Sequence, residues 1–311
     1  MDKYLVLDIG GSSIKYGLLE EDGTVITKDK YKIKNIDLDT LLADVKHVAD
    51  IFAGEYKGIA VSMPGRIDTP NGIAHSGGVF EFIIDIPFAQ KINEMTGVPV
   101  IIANDANCAA RAELDSGALQ GCKGGACLIC GTSIGGALAL NGEIWLGSNF
   151  AAGEAAWLPL DLRNIRDIAY SDALHAEGMS GEAVSTMGLM NTYQRLKGEP
   201  LQYSASGGAE FFDKYNEGEP EAIQALQLFS QTMAAEIFSI QAMLDLDVYA
   251  IGGGISNEPE ITNSIRREVD YLYGKYTEAS VRKPQIVTCK YGSSANLYGA
   301  LGFYLDEISK R

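Results

Sequence analysis

Histidine and tryptophan are scarce in this chain, with three and two residues in 311. His47, His75 and His175 are too few and too scattered to form a metal centre alone. The five cysteines (Cys108, Cys122, Cys127, Cys130 and Cys289) make an odd set without disulfide-type spacing, which suits a reducing compartment. Cys127 and Cys130 form a C-x-x-C, but GACLICGTSIGG reads as a strand, where positions three apart face opposite sides. Basic residues are also few. Twenty-five Lys and Arg against 41 Asp and Glu leave a net charge of −16, which argues against a nucleic-acid groove. No stretch reads as a membrane-spanning helix. The opening MDKYLVLDIG has no basic start followed by a long apolar core, so no signal peptide is expected. These absences predict a soluble, acidic, cytoplasmic protein, and 311 residues at 46% hydrophobic predict two domains.

What the chain does have is strand–helix alternation. YLVLDI, IKYGLL and VITKDKYKI read as strands, and LDTLLADVKHVADIF has helical spacing of its apolar residues. KGIAVSMPG is a short buried strand, PFAQKINEMTG a helix stopped by Gly97, and VPVIIAND a strand ending in a carboxylate. A helix from Ala106 to about Leu119 follows. Residues 179–245 read as largely helical, and a last helix is expected from about Ser294 to Ile308. The alternation predicts an α/β fold with mixed sheets.

One arrangement occurs twice. LVLDIGGSSIKYGLL runs as strand, Gly/Ser tip and returning strand, and GACLICGTSIGGALALNGEIW repeats that plan about 120 residues later. The repeat predicts a duplicated domain with two tips facing a central cleft. The smaller N-terminal lobe is expected over 1–116, completed by the helix 294–311, and the larger C-terminal lobe over 117–293.

The tips suggest phosphate chemistry. Gly10 and Gly11 let backbone N–H groups approach a ligand, and Ser12 and Ser13 add hydroxyl donors. Asp8 beside phosphates would be repelled unless a cation such as Mg²⁺, or its water shell, lay between them. Lys15 adds positive charge, and a plain hairpin explains DIGGSS alone about as well. Gly131 and Thr132 open the second tip, and Gly252, Gly253 and Gly254 after VYAI leave backbone bare for a base or ribose, or simply form a tight turn. Asp105, where a buried strand meets a helix, reads either as a helix cap or as a rigidly held general base.

DIGGSSIK, AVSMPG, ANDANCAARAE, CGTSIGGALALNG, AAGEAAW, YAIGGGIS and SSANLYGALGF occur in this order. Together they resemble the ROK family (repressors, open reading frames and kinases), of the two-domain actin-like ATPase, or ribonuclease H-like, fold. The resemblance implies that Asp8, Gly10, Gly11, Ser12 and Lys15 serve the first phosphate motif, with Asp8 meeting Mg²⁺ through water. It implies Gly131 and Thr132 in the second phosphate motif and Gly252, Gly253 and Gly254 in the adenosine motif. Asn104 matches the sugar contact, Asp105 the catalytic base, Glu154 the sugar-binding glutamate and Gly65 the loop bordering the sugar.

Departures from the family pattern are informative. The GE-x-x-H segment reads Gly153-Glu154-Ala155-Ala156-Trp157, with tryptophan in place of histidine. The cysteine-rich zinc segment expected near 173–184 reads ALHAEGMSGEAV, so no structural zinc is expected. Ser133 stands where glycine is usual, and the chain starts directly with its first strand, so no helix-turn-helix is expected. The resemblance implies an ATP- and Mg²⁺-dependent sugar kinase, acting on a sugar hydroxyl expected to be that on C6, and a homodimer. Gly77 and Gly78 remove side-chain bulk beside the sugar, and the resemblance to Gly-Gly loops of zinc-free relatives implies β-glucosides such as cellobiose, with space left for an aglycone. Trp157 either offers an apolar face to a pyranose or packs in the core. Glucose and N-acetylmannosamine are the alternative acceptors, and a non-catalytic sugar sensor is the alternative from another class.

Overall fold

A computed structural model describes residues 1–34, 36–160, 178–275 and 280–310. The chain divides into two compact units: Met1–Ser116 with Leu146–Ala152 and Ser294–Arg311, and Gly117–Trp145 with Gly153–Ser293. The sequence alone had not assigned the short piece 146–152 to the first unit.

The first unit begins with β1 (Lys3–Ile9), β2 (Ser13–Glu20) and β3 (Val25–Lys32), a meander, followed by helix α1 (Leu38–Ile51) and strand β4 (Ile59–Met63). Asp37 caps α1 by accepting from the backbone N–H of Thr40 at 2.8 Å. Three very short strands follow, β5 (Ile67–Asp68), β6 (Ile73–Ser76) and β7 (Ile84–Ile86), forming a small sheet of their own. At two to four residues each, they are too short to show alternation, and the sequence did not reveal them. Helix α2 (Phe88–Thr96) stops at Gly97, whose φ of 74° lies in the left-handed region, as the sequence predicted. Strand β8 (Val100–Asn104) then runs into helix α3 (Asp105–Ser116), which is three residues shorter at its end than expected. The main sheet has the order β3-β2-β1-β4-β8. β1 and β2 pair antiparallel, β1 and β4 parallel, and β4 and β8 parallel. The edge strand β3 is mostly exposed and carries Lys28, Lys30 and Lys32, charges that discourage edge-to-edge pairing.

The second unit repeats the plan. Strands β9 (Gly124–Cys130), β10 (Ile134–Leu140) and β11 (Glu143–Trp145) form its meander. Helices α4 (Ser180–Ala183), α5 (Thr186–Lys197), α6 (Gly208–Asn216) and α7 (Pro220–Leu244) come next, then β12 (Val248–Gly252), α8 (Pro259–Lys275) and β13 (Gln285–Thr288). The sheet order β11-β10-β9-β12-β13 matches the first sheet position by position, with antiparallel pairs in the meander and parallel pairs beyond it. The duplicated mixed sheet expected from the two glycine tips is therefore present. Cys127 and Cys130 are both fully buried in β9; only Cys130 joins the main apolar cluster of this unit.

The chain closes with α9 (Ala295–Ser309), which returns to the first unit. Gly299 lets α9 meet α3 backbone to backbone, because a Cβ there would stand 1.7 Å from the Cys108 carbonyl oxygen. Arg111 of α3 also pairs with Asp306 of α9. Among the described residues, no helix is long and apolar enough to cross a membrane.

Candidate functional site

The hairpin between β1 and β2 sets the first group of residues. Their register places Asp8 directly opposite Lys15, and the Lys15 ammonium lies 3.2 Å from Asp8 Oδ2. Oδ1 of Asp8 accepts from the Ser62 hydroxyl at 3.1 Å and from the Asn296 amide at 2.9 Å. Asp8 is thus a buried carboxylate held from β2, β4 and α9 at once. Neither Ser62 nor Asn296 was singled out as a site residue in the sequence, although both lie inside recognised motifs, AVSMPG and SSANLYGALGF. Of roughly four lone-pair positions on a carboxylate, Asp8 uses three, leaving Oδ2 able to accept from a metal-bound water. That donor set fits Mg²⁺ held through water rather than directly.

Beyond Asp8 the tip residues Gly10, Gly11 and Ser12 are exposed. The Gly10 N–H is spent on the Ser13 carbonyl at 3.0 Å, which closes the turn. A Cβ on Gly10 would meet only ordinary contacts, so protein packing does not explain that glycine.

At the end of β8, the bland reading of Asp105 as a helix cap goes instead to its neighbour. Asn104 Oδ1 accepts from the Asn107 N–H at 3.0 Å, which is the cap of α3, while its amide donates to the Gly65 carbonyl at 2.9 Å. Asp105 is the first residue of the helix, and its carboxyl accepts from the Ala106 N–H at 2.9 Å. Burial, with the Asp8 carboxylate adding to it, pushes the Asp105 carboxyl above the ordinary carboxylate range. A carboxylate positioned in this way can accept a proton from a hydroxyl.

Gly65, Gly77 and Gly78 form one packed corner. A Cβ on Gly65 would lie 2.1 Å from the Ser76 carbonyl oxygen, one on Gly77 2.7 Å from that of Phe80, and one on Gly78 3.1 Å from the Pro64 Cβ. A side chain at Gly65 or Gly77 would collide with the chain itself, and one at Gly78 would press on Pro64.

The second unit carries the other residues. In the turn between β9 and β10, the Gly131 N–H donates to Ser133 O at 2.8 Å, mirroring Gly10 and Ser13. Thr132 is exposed, and the Ser133 hydroxyl is buried without a hydrogen-bond partner. The three glycines after β12 differ. Gly253, at φ 93°, lies against the backbone of Cys130, whose carbonyl oxygen a Cβ would approach to 2.0 Å, and Gly252 faces Ile129 and Cys289. Only Gly254 faces open space. Gly153 packs on Gly136 and Ala137 of β10, so Glu154 follows directly from the sheet. Glu154 is exposed, and Trp157, 37% exposed, is not a core residue.

Among the described residues, no group of three or more His, Cys, Asp and Glu side chains gathers to hold a metal ion. Residues 173–177 of the segment aligned with the zinc motif lie outside the described residues. Burial pushes the Cys108 and Cys130 thiols far up, so neither is an available thiolate.

Paired sheets of identical order, each with a Gly-rich tip beside its first strand, define an ATPase of the actin-like class. Residues 4–307 match the ROK family model, and the chain belongs to the ROK family, among its sugar kinases. It is 28% identical over 311 residues to a β-glucoside kinase of Listeria monocytogenes, with 99% of each chain covered. It is 28% identical to an N-acetyl-D-glucosamine kinase of Vibrio atlanticus, covering 96% of this chain and 98% of the relative. A solved Listeria monocytogenes structure, described as a candidate N-acetylmannosamine kinase, superposes with a TM-score of 0.83 at 27% identity, covering 98% and 99% of the two chains.

Proposed function

We propose that this protein transfers the γ-phosphate of ATP to the 6-hydroxyl of a sugar, with β-glucosides as the acceptor class. The observation that carries the reading is Asp105. Asn104 takes over the helix cap, leaving Asp105 at a rigid strand–helix junction with its proton affinity raised by burial. In this reading Asp105 accepts the hydroxyl proton as the oxygen attacks phosphorus, and Asn104 and Glu154 orient the sugar. Gly65, Gly77 and Gly78 shape the adjoining loop. Gly10, Gly11, Ser12, Lys15, Gly131 and Thr132 contact phosphate oxygens, and Gly252, Gly253 and Gly254 border the adenosine. The orphaned Ser133 hydroxyl supports an oxygen-rich ligand at the second tip. When bound, Mg²⁺ neutralises charge on the transferred group, and Asp8 would hold it through water.

Support for β-glucosides comes from the relative of that name and from Trp157, whose exposed ring suits the apolar face of a pyranose. The test is coupled ADP release with cellobiose, glucose, N-acetylglucosamine and N-acetylmannosamine side by side. Cellobiose is expected to show the highest kcat/KM. A monosaccharide ahead by about tenfold would reject the acceptor while leaving the kinase reading intact.

We also propose a cytosolic homodimer assembled through α7. From Ile223 to Leu244 its only charged residue is the buried Glu236, a notably uncharged surface in a chain of net charge −16. Light scattering at micromolar concentration is expected to give twice the chain mass. A monomer mass would reject the assembly.

A further inference from the structure

The small sheet of β5, β6 and β7 carries a cluster with no part in the chemistry assigned above. His75 of β6 sits between two carboxylates: its Nδ1 is 2.6 Å from Asp85 Oδ1 and its Nε2 is 4.0 Å from Asp68 Oδ2. Asp68 is buried and also accepts from the backbone and side-chain amides of Asn71, at 3.1 and 2.9 Å. With both imidazole edges facing carboxylates, the ring plane is fixed. Its face stacks on Phe150, with centroids 6.2 Å apart and planes 20° from parallel.

Beside it, Arg66 is hydrogen-bonded to β6 through its backbone. Its N–H donates to the Ser76 hydroxyl at 3.0 Å, and its carbonyl accepts from the His75 N–H at 2.9 Å. Its guanidinium reaches the Asn149 carbonyl at 3.4 Å. Two adjacent residues of one loop, Asn149 and Phe150, are therefore gripped by two neighbouring side chains. The loop is closed on itself by the Ala152 N–H donating to Leu146 O at 3.2 Å. Both Phe150 and Asp85 adopt left-handed backbone, at φ 59° and 51°. A bulky side chain holds that conformation only where its surroundings impose it. Here the surroundings are the His75 ring and the Arg66 fork, which also explains why 146–152 groups with the first unit.

The loop matters because of what comes next in the chain. Glu154 follows Ala152 by two residues, and Arg66 and His75 flank the corner of Gly65 and Gly77. We propose that Arg66 and His75 are positioning residues for the acceptor sugar: they seat Asn149 and Phe150 and so fix the point from which the chain delivers Glu154. This rests on the reading of Glu154 as a sugar ligand. It predicts a selective effect, because the nucleotide residues do not depend on this loop.

Two readouts test it. The first is steady-state kinetics with whichever sugar of the panel is the best acceptor. His75→Ala is expected to raise the sugar KM by ~10-fold or more while the ATP KM stays within about twofold. His75→Phe, which keeps the stack, should recover most of the loss. Phe150→Ala should match His75→Ala, and the double variant should be no worse than either alone. The second readout needs no activity. The only tryptophans, Trp145 and Trp157, bracket the loop, so acrylamide quenching of intrinsic fluorescence reports on its seating. Quenching should rise in His75→Ala and return in His75→Phe. If His75→Ala does not fold, Phe150→Leu replaces it in both arms. Unchanged sugar KM, or unchanged quenching in a folded variant, overturns the proposal. Absence of phosphorylation with every sugar would defeat the kinase reading, and the fluorescence arm would still decide whether the clamp exists.

Discussion

The side-chain amide of Asn296 donates to Asp8 Oδ1 at 2.9 Å, joining the last helix of the chain to its first strand. The contact spans 288 positions and fixes the orientation of a carboxylate that also faces Ser62 and Lys15. A buried hydrogen bond to a charged acceptor contributes about 1.5–3 kcal/mol. Asn296→Ala should therefore lower stability in urea unfolding by about that amount. Asn296→Asp should be worse at neutral pH, because it sets a second carboxylate against Asp8. The gap between the two variants should narrow as the pH is lowered into the carboxylate range. Equal stability of Asn296→Ala and wild type would show that the contact carries no energy.

Asp105 ties activity and stability together with opposite signs. Its raised proton affinity means that the native state holds this proton more tightly than the unfolded chain does. Ionisation of Asp105 therefore costs stability as pH rises through its folded value, while activity requires that same ionised form. Asp105→Asn should lower kcat by at least ~10²-fold yet leave the melting temperature at pH 7 equal to wild type or higher. The acid limb of wild-type kcat/KM should lie above the ordinary carboxylate range. Near-normal turnover by the variant would remove Asp105 from the mechanism.

Glu236 provides a separate pH effect within the second unit. It lies on α7, buried, with one oxygen bonded by the Ser180 hydroxyl and Oε1 without a partner. Burial pushes its carboxyl up to about 7. The native state thus favours the protonated acid, and stability falls as pH rises from the ordinary carboxylate range through about 7. The full cost above that range is on the order of 3 kcal/mol. Glu236→Gln should stabilise the protein at pH 8, and most of the gain should vanish at pH 5. A gain independent of pH would show that Glu236 does not ionise in the folded protein.

Gly299 tests the seam between α3 and α9. A methyl group there would collide with the Cys108 backbone, which has no flexible end to move aside. Gly299→Ala should cost about 1–3 kcal/mol by overpacking, even though alanine is the better helix former. Thermal melting that shows stabilisation instead would mean that the two helices separate at little cost.

The local elements that position the site were legible because their signals are local. Apolar strands interrupted by Gly, Ser and Thr announced both hairpins, and the ordered motifs announced the family. Gly97 marked the end of α2 through its own backbone freedom. Those features depend on neighbours in sequence, and the pattern records them. What only the tertiary structure decided depends on groups far apart in the chain. Nothing near Asp8 in sequence names Ser62 or Asn296 as its partners, and nothing near Asp105 says that Asn104 takes the cap. The sequence shows that Gly77 and Gly78 lack side chains, but not that the Phe80 carbonyl and Pro64 lie closest to where those side chains would stand. The strands β5 to β7 are too short to carry a periodic signal, and they exist because they pair with one another. The loop 146–152 joined the first unit for the same reason: a ring stack and an arginine contact across more than 70 residues decided it. Periodicity and turn chemistry set the elements, whereas close packing chose which distant side chains would share a hydrogen bond.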